Sequence, residues 1–127
     1  IGVTMEMFQT ALAADGVAPS AGIHGVYLLS TLLGTGTPNA DRELYFVRRE
    51  GGTAYGGKTI EALRRGRWKL LQDSPFAPLE LYDLQNDPQE TTDLATKNRP
   101  VFNELSAALR RHIQRGGAVP WQAADVE

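Results

Sequence analysis

The sequence predicts an α+β fold: two short helices, then three or four antiparallel strands, then one long helix. Three observations carry this. Apolar residues recur at helical spacing in the first forty residues. From residue 42 onward they alternate, in short runs broken by Gly, Pro and Asp. From about residue 99 they recur every four residues without a break. A chain of 127 residues is one domain in length and buries a real core.

The first element is the stretch "TMEMFQTALAA", Thr4 to Ala14. Met5, Phe8, Ala11 and Leu12 fall on one helical side, and Met7, Ala13 and Ala14 make the other sides apolar too, so burial on more than one side is expected. Thr4 and the Asp15-Gly16 pair are the expected punctuation at its ends. After the loop "GVAPSAG", the run Gly25 to Pro38 reads as a short apolar helix, with Val26, Leu29 and Leu33 on one side and Gly34 closing it.

Residues Arg42 to Glu50 suit a strand, with Leu44 and Phe46 on one face and Tyr45 and Val47 on the other. "GGTAYGG" is a joint. The stretch from Lys58 to Gln72 has two readings. A helix would be weakened by Gly66, whereas a hairpin turning at Arg65-Gly66 places Ile60, Ala62, Trp68 and Leu70 in strands; the hairpin is preferred. "DSPFAP" is a loop, and Leu79 to Leu84 is a further strand. Asp87, Pro88 and Glu90 then have the order of an N-cap, N1 and N3, with the Asp87 carboxylate accepting from the Glu90 amide and Glu90 reaching back, and the stretch is read as a structural turn. The last helix is expected from about Arg99 to Arg115. Val101, Leu105, Leu109 and Ile113 form its stripe, arginines favour its C-terminal end, and Gly116-Gly117 stop it. Trp121 in the tail is expected to fold back onto the body.

Composition narrows the chemistry. The net charge is −2, which singles out neither nucleic acid nor membrane as a partner, and neither is expected. The absence of cysteine removes disulfides, thiolate metal sites and cysteine nucleophiles. No apolar run reaches the ~20 residues of a spanning helix. No signal peptide is visible, and a chain opening on Ile1 is expected to derive from a trimmed or longer polypeptide.

No catalytic residue and no metal site is expected in the chain. The candidate binding surface is the hairpin cluster Arg64, Arg65, Arg67 and Lys69, because guanidinium forks suit sulfate, carboxylate or phosphate groups. Alternation puts these charges on opposite faces; the competing reading is a solvated hairpin with Arg67 and Lys69 paired to nearby acids. Asp87 and Glu90 are read as caps and Asp93 as solvated, which leaves too few oxygens for calcium. His24 and His112 are far apart and are read as surface or structural residues. "GGTAYGG" lacks the Lys-Ser/Thr of a phosphate loop.

Four blocks carry a resemblance to a known family. "TMEMFQTALAADGV" resembles T-M-D-hydrophobic-F-P-T-hydrophobic-L-x-x-A-G. "IHGVYLLSTLLG" is similar to I-D-G-V-x-L-L-P-x-L-x-G. "EALRRGRWKLL" resembles A-hydrophobic-R-x-G-R-W-K-L, and "LELYDLQNDPQETTDLA" resembles E-L-Y-D-L-x-x-D-P-x-E-x-x-N-L-A. In this order they resemble the C-terminal end of a sulfatase, of the arylsulfatase and N-acetylgalactosamine-6-sulfatase type. The sequence departs at Glu6, Gln9, His24 and Ser30, where the family has Asp, Pro, Asp and Pro, and at Asp93, where Asn is common.

The resemblance implies a division. Residues 1–38 would correspond to the end of the large domain. Residues 39–127 would form a C-terminal subdomain, an antiparallel sheet of about four strands with a helix packed on it, which buttresses the large domain. It also implies that the reactive parts lie upstream: a formylglycine made in a C/S-x-P/A-x-R motif, a calcium ion, and the His and Lys residues that bind sulfate. The formal S-x-A-x-R match at Ser106 to Arg110 falls inside the expected last helix and is read as chance. The expected partner is an N-terminal catalytic domain. In an alternative reading the chain is a stand-alone binding or oligomerisation module, whose partner is a second copy in a homodimer. A periplasmic or secreted location follows if the parent is a typical bacterial sulfatase.

Overall fold

The computed structural model describes residues 3–18, 28–36, 41–49 and 59–117. The expectations for Val26, His24, the "GGTAYGG" joint and Trp121 lie outside these residues. The chain divides into two compact units, Ile1–Asn39 and Ala40–Glu127.

In the first unit, α1 spans Met5–Ala14 and α2 spans Leu29–Leu32. The start of α1 differs from expectation. Thr4 is itself helical in backbone and caps nothing; the Glu6 carboxylate accepts the Val3 amide instead, at 2.9 Å. At the other end the Val17 amide donates to Leu12 O and the Gly16 amide to Ala13 O, a Schellman closure. The same closure ends α2, with Thr35 bonded to Ser30 O and Gly34 to Thr31 O; Gly34 takes a φ of +72°, which a side chain would strain. The helices are tied by a relay: the Leu28 amide donates to Thr10 Oγ1, which donates to Glu6 O.

Burial in α1 is the reverse of the expectation. Its buried residues are Glu6 and Gln9, while Met5, Met7 and Phe8 are 59, 69 and 59% exposed. Leu32 and Leu33, at the end of α2 in the same unit, are also exposed. Apolar spacing fixes which residues share a helix face, not whether a partner surface is there to cover it.

In the second unit, β1 (Glu43–Arg49), β2 (Thr59–Arg65), β3 (Trp68–Gln72) and β4 (Glu80–Asp83) form an antiparallel sheet in the order β1-β2-β3-β4. The helix α3 runs Arg99–Gly117; it continues through the two glycines expected to stop it. The hairpin preferred from the sequence is the one that forms. Its loop is Gly66-Arg67, one residue later than expected, and Gly66 sits at φ +57°. Glycine at the first position of a two-residue loop matches the twist of the paired strands.

Register explains the core. Tyr45, Leu63, Leu70 and Leu81 are cross-strand neighbours on one face. Leu63, Leu70 and Leu81 have no exposed surface and pack with Leu105, Ala108 and Leu109 of α3. Val101, Phe102 and Ile113 flank them, so the every-fourth-residue stripe is the side laid on the sheet. The opposite face carries Leu44, Phe46, Ala62, Leu71 and Tyr82 in the alternate register.

Candidate functional site

The hairpin places its four cations on two faces and gives them different surroundings. Arg65, on the α3 side, lies 2.9 Å from Glu104 and 3.6 Å from Glu43. Arg67, in the turn, reaches across the end of β4 and donates Nε to Asp83 Oδ1 at 2.7 Å and Nη2 to Oδ2, a side-on fork. Its guanidinium also lies over the Trp68 ring, 5.2 Å from the centroid. Lys69 projects from the other face and binds both oxygens of Glu90, at 2.7 and 2.6 Å. Arg64 is half-buried and donates Nε to Gly66 O at 3.3 Å. The structure thus shows Arg67 and Lys69 each held by an acid distant in sequence. It brings Arg65 and Arg67 together and sets Arg64 and Lys69 apart from them.

Arg65 and Arg67 share an open groove of about 760 Å3 with Asp41, Trp68, Gln85 and Glu104. Its two arginines stand against two carboxylates in the lining, and each guanidinium is already engaged by an acid. Asp83 is 5% exposed; the Arg67 fork holds its carboxyl below the usual carboxylate range, aided by the Gln85 and Asn86 amides and opposed by burial. The same contact raises the Arg67 guanidinium further.

The seam after β4 is the turn that was expected, with no helix before Arg99, but its capping partners differ from the expected ones. Glu90 takes a φ of +57°, which ends any helical path, and α3 begins only at Arg99. The Asp87 carboxylate still caps amides, but those of Thr91 and Thr92, each at 2.8 Å, and it accepts the Thr91 hydroxyl as well. These bonds, the Thr92 amide first, hold its carboxyl below the ordinary value. Glu90 does not reach back; its side chain goes to Lys69. Asp93 is not merely solvated either. Its Oδ1 accepts the Leu81 and Ala95 amides at 2.9 and 2.8 Å, and the Leu94 amide donates to Leu81 O at 2.8 Å. Residues 93–94 therefore satisfy the outward amide and carbonyl of Leu81 in the edge strand β4. An asparagine oxygen would accept those bonds equally well.

His112 stacks on Tyr45, with centroids 5.4 Å apart, and its Nε2 lies 3.0 Å from Glu43 Oε2. This joins α3 to β1, and no distinctive sequence spacing announced it. Ser106, of the S-x-A-x-R match, is 2% exposed in the middle of α3 and donates to Phe102 O at 2.6 Å. Tyr82, on the outer face, donates to Glu80 at 2.7 Å, and that bond raises its hydroxyl to about 12. Among the described residues, no group of three or more His, Asp or Glu side chains is placed to hold a metal ion, and no helix is long and apolar enough to cross a membrane.

No family model matches the sequence, and no curated protein does. Solved structures match in fold. A candidate sulfatase from Bacteroides thetaiotaomicron aligns with a TM-score of 0.75 at 23% identity, over 94% of this chain and 27% of its own. A 2-O GAG sulfatase gives 0.74 at 23% identity with the same coverage. Ps i-CgsB, solved in complex with k-i-k-neocarrahexaose, gives 0.66 at 20% identity, over 87% of this chain and 23% of its own. The fold of this chain is that of a portion of the sulfatases, spanning about a quarter of their length.

Proposed function

We propose that this chain is a supporting, non-catalytic portion of a sulfatase-like protein, whose remaining polypeptide would hydrolyse sulfate esters. The observation that carries the reading is the pairing of coverages: 94% of this chain against 27% of the sulfatase. Local geometry supports it. Arg67 and Lys69 are bound to acids that pin the seam to the sheet, which suits a structural hairpin. Ser106 is enclosed in a helix, which suits a serine that is not converted to formylglycine. In this reading calcium and formylglycine belong to the rest of the parent, and its substrates are sulfated carbohydrates. Its compartment is the periplasm or the exterior. The test is an assay of the purified chain on aryl sulfates and sulfated sugars. No turnover is expected; turnover abolished by a chelator would overturn the reading.

A second reading, a stand-alone binding or oligomerisation module, is favoured by one observation: the exposure of Met5, Met7, Phe8, Leu32 and Leu33 in the first unit. In that case a second copy covers these residues. Light scattering separates the two readings, because a homodimer is expected of the module and a monomer counts against it.

A further inference from the structure

The most exposed large apolar residue in the described chain is Phe76, at 99%, in the loop between β3 and β4. Pro75 and Pro78 flank it, which removes backbone freedom, and two hydrogen bonds fix the loop. Gln72 Nε2 donates to Ala77 O at 2.8 Å, and the Ala77 amide donates to Ser74 O at 3.0 Å. The ring is thus held out on a braced turn. The loop joins β3 to β4 at the end of the sheet beyond the Leu71–Glu80 pair. An aromatic carried on a braced backbone loses little backbone freedom when it enters a pocket, and its ring has only two χ angles to fix.

Resting on the reading above, we propose that Phe76 is an anchor that inserts into the large remaining part of a sulfatase-like polypeptide. The occupant is argued from length: the solved sulfatases that share this fold carry roughly three quarters of their chain outside it. An apolar pocket on that body, at the end of the sheet where the loop emerges, is what the ring fits.

The test is hydroxyl-radical footprinting of Phe76 in this chain and in the product of the complete reading frame that encodes it. Phe76 is expected to be labelled readily in the chain and to lose most of that labelling in the complete product. Phe76→Ser is expected to lower the unfolding temperature of the complete product and to leave that of the chain unchanged. Equal labelling in both, with a sulfatase-like body present, would overturn the anchor and leave the reading of function standing. A reading frame with no such body would overturn both. Protection of Phe76 in the chain alone, rising with concentration, would make the occupant a second copy and overturn the proposal.

Discussion

Lys69 on β3 and Glu90 beyond β4 meet in a two-oxygen ion pair, across the sheet face that α3 leaves free. Glu90 makes that contact from a left-handed backbone position, which costs a non-glycine residue about 1 kcal/mol or more. The pair is part-buried and contributes about 1 kcal/mol. Glu90→Ala, which keeps the strain and loses the pair, is expected to destabilise by about that amount. Glu90→Gly, which loses both, should fall within about 0.5 kcal/mol of the parent. Urea unfolding of the two variants measures the difference, and equal losses would show that the backbone strain is not there.

Acid should weaken the second unit through Asp83 and Asp87. Both carboxyls sit below their unfolded value, Asp83 through the Arg67 fork and Asp87 through the Thr92 and Thr91 amides. A depressed carboxyl contributes stability that is present above the unfolded value, about pH 4, and lost as pH falls through the folded one. Urea midpoints measured downward from pH 7 should decline below about pH 4. Asp83→Asn should lower the midpoint at neutral pH and flatten the decline.

At high pH the sign reverses. Tyr82 is raised to about 12, first by its bond to Glu80 and then by burial. Its contribution is full below the ordinary tyrosine value, about 10, and is lost as pH rises through about 12. An ultraviolet titration of tyrosinate should show a late component that Tyr82→Phe removes. Glu80→Gln should move that component toward lower pH.

The two apolar stripes of the sequence should respond oppositely to truncation. Leu105→Ala or Leu109→Ala removes a side chain with almost no exposed surface, and should cost about 2–5 kcal/mol. Phe8→Ser, on the exposed side of α1, should change stability by no more than about 0.5 kcal/mol in this chain. Thermal melts of the three variants are enough to check this.

The parts of the fold legible in the sequence are those set by local periodicity. Val101, Leu105, Leu109 and Ile113 place α3 because a stripe every four residues has one solution, a helix against an apolar surface. Gly66 places the hairpin because only a two-residue loop with positive φ joins strands there. The capping order of Asp87, Pro88 and Glu90 was legible too; the turn and the Asp87 cap form, but with other partners than the order suggests. Its residue types suit a helix start, but Lys69 lies 21 positions earlier and competes for Glu90. The groove of Arg65, Arg67, Trp68 and Glu104 depends on the β2–β3 hairpin meeting α3, and no spacing along the chain encodes that.

The sequence by itself determined the α+β class, the strand alternation, the face of α3 that is buried and the likeness to sulfatases. Only the tertiary structure decided which cations pair with which acids, that Asp93 closes the edge of β4, and that α1 buries Glu6 and Gln9 while showing its methionines to solvent. The division has a physical cause. Periodicity is a property of neighbours along the chain and acts before folding, whereas an ion pair, an edge closure or an uncovered face exists only where distant segments meet or fail to meet.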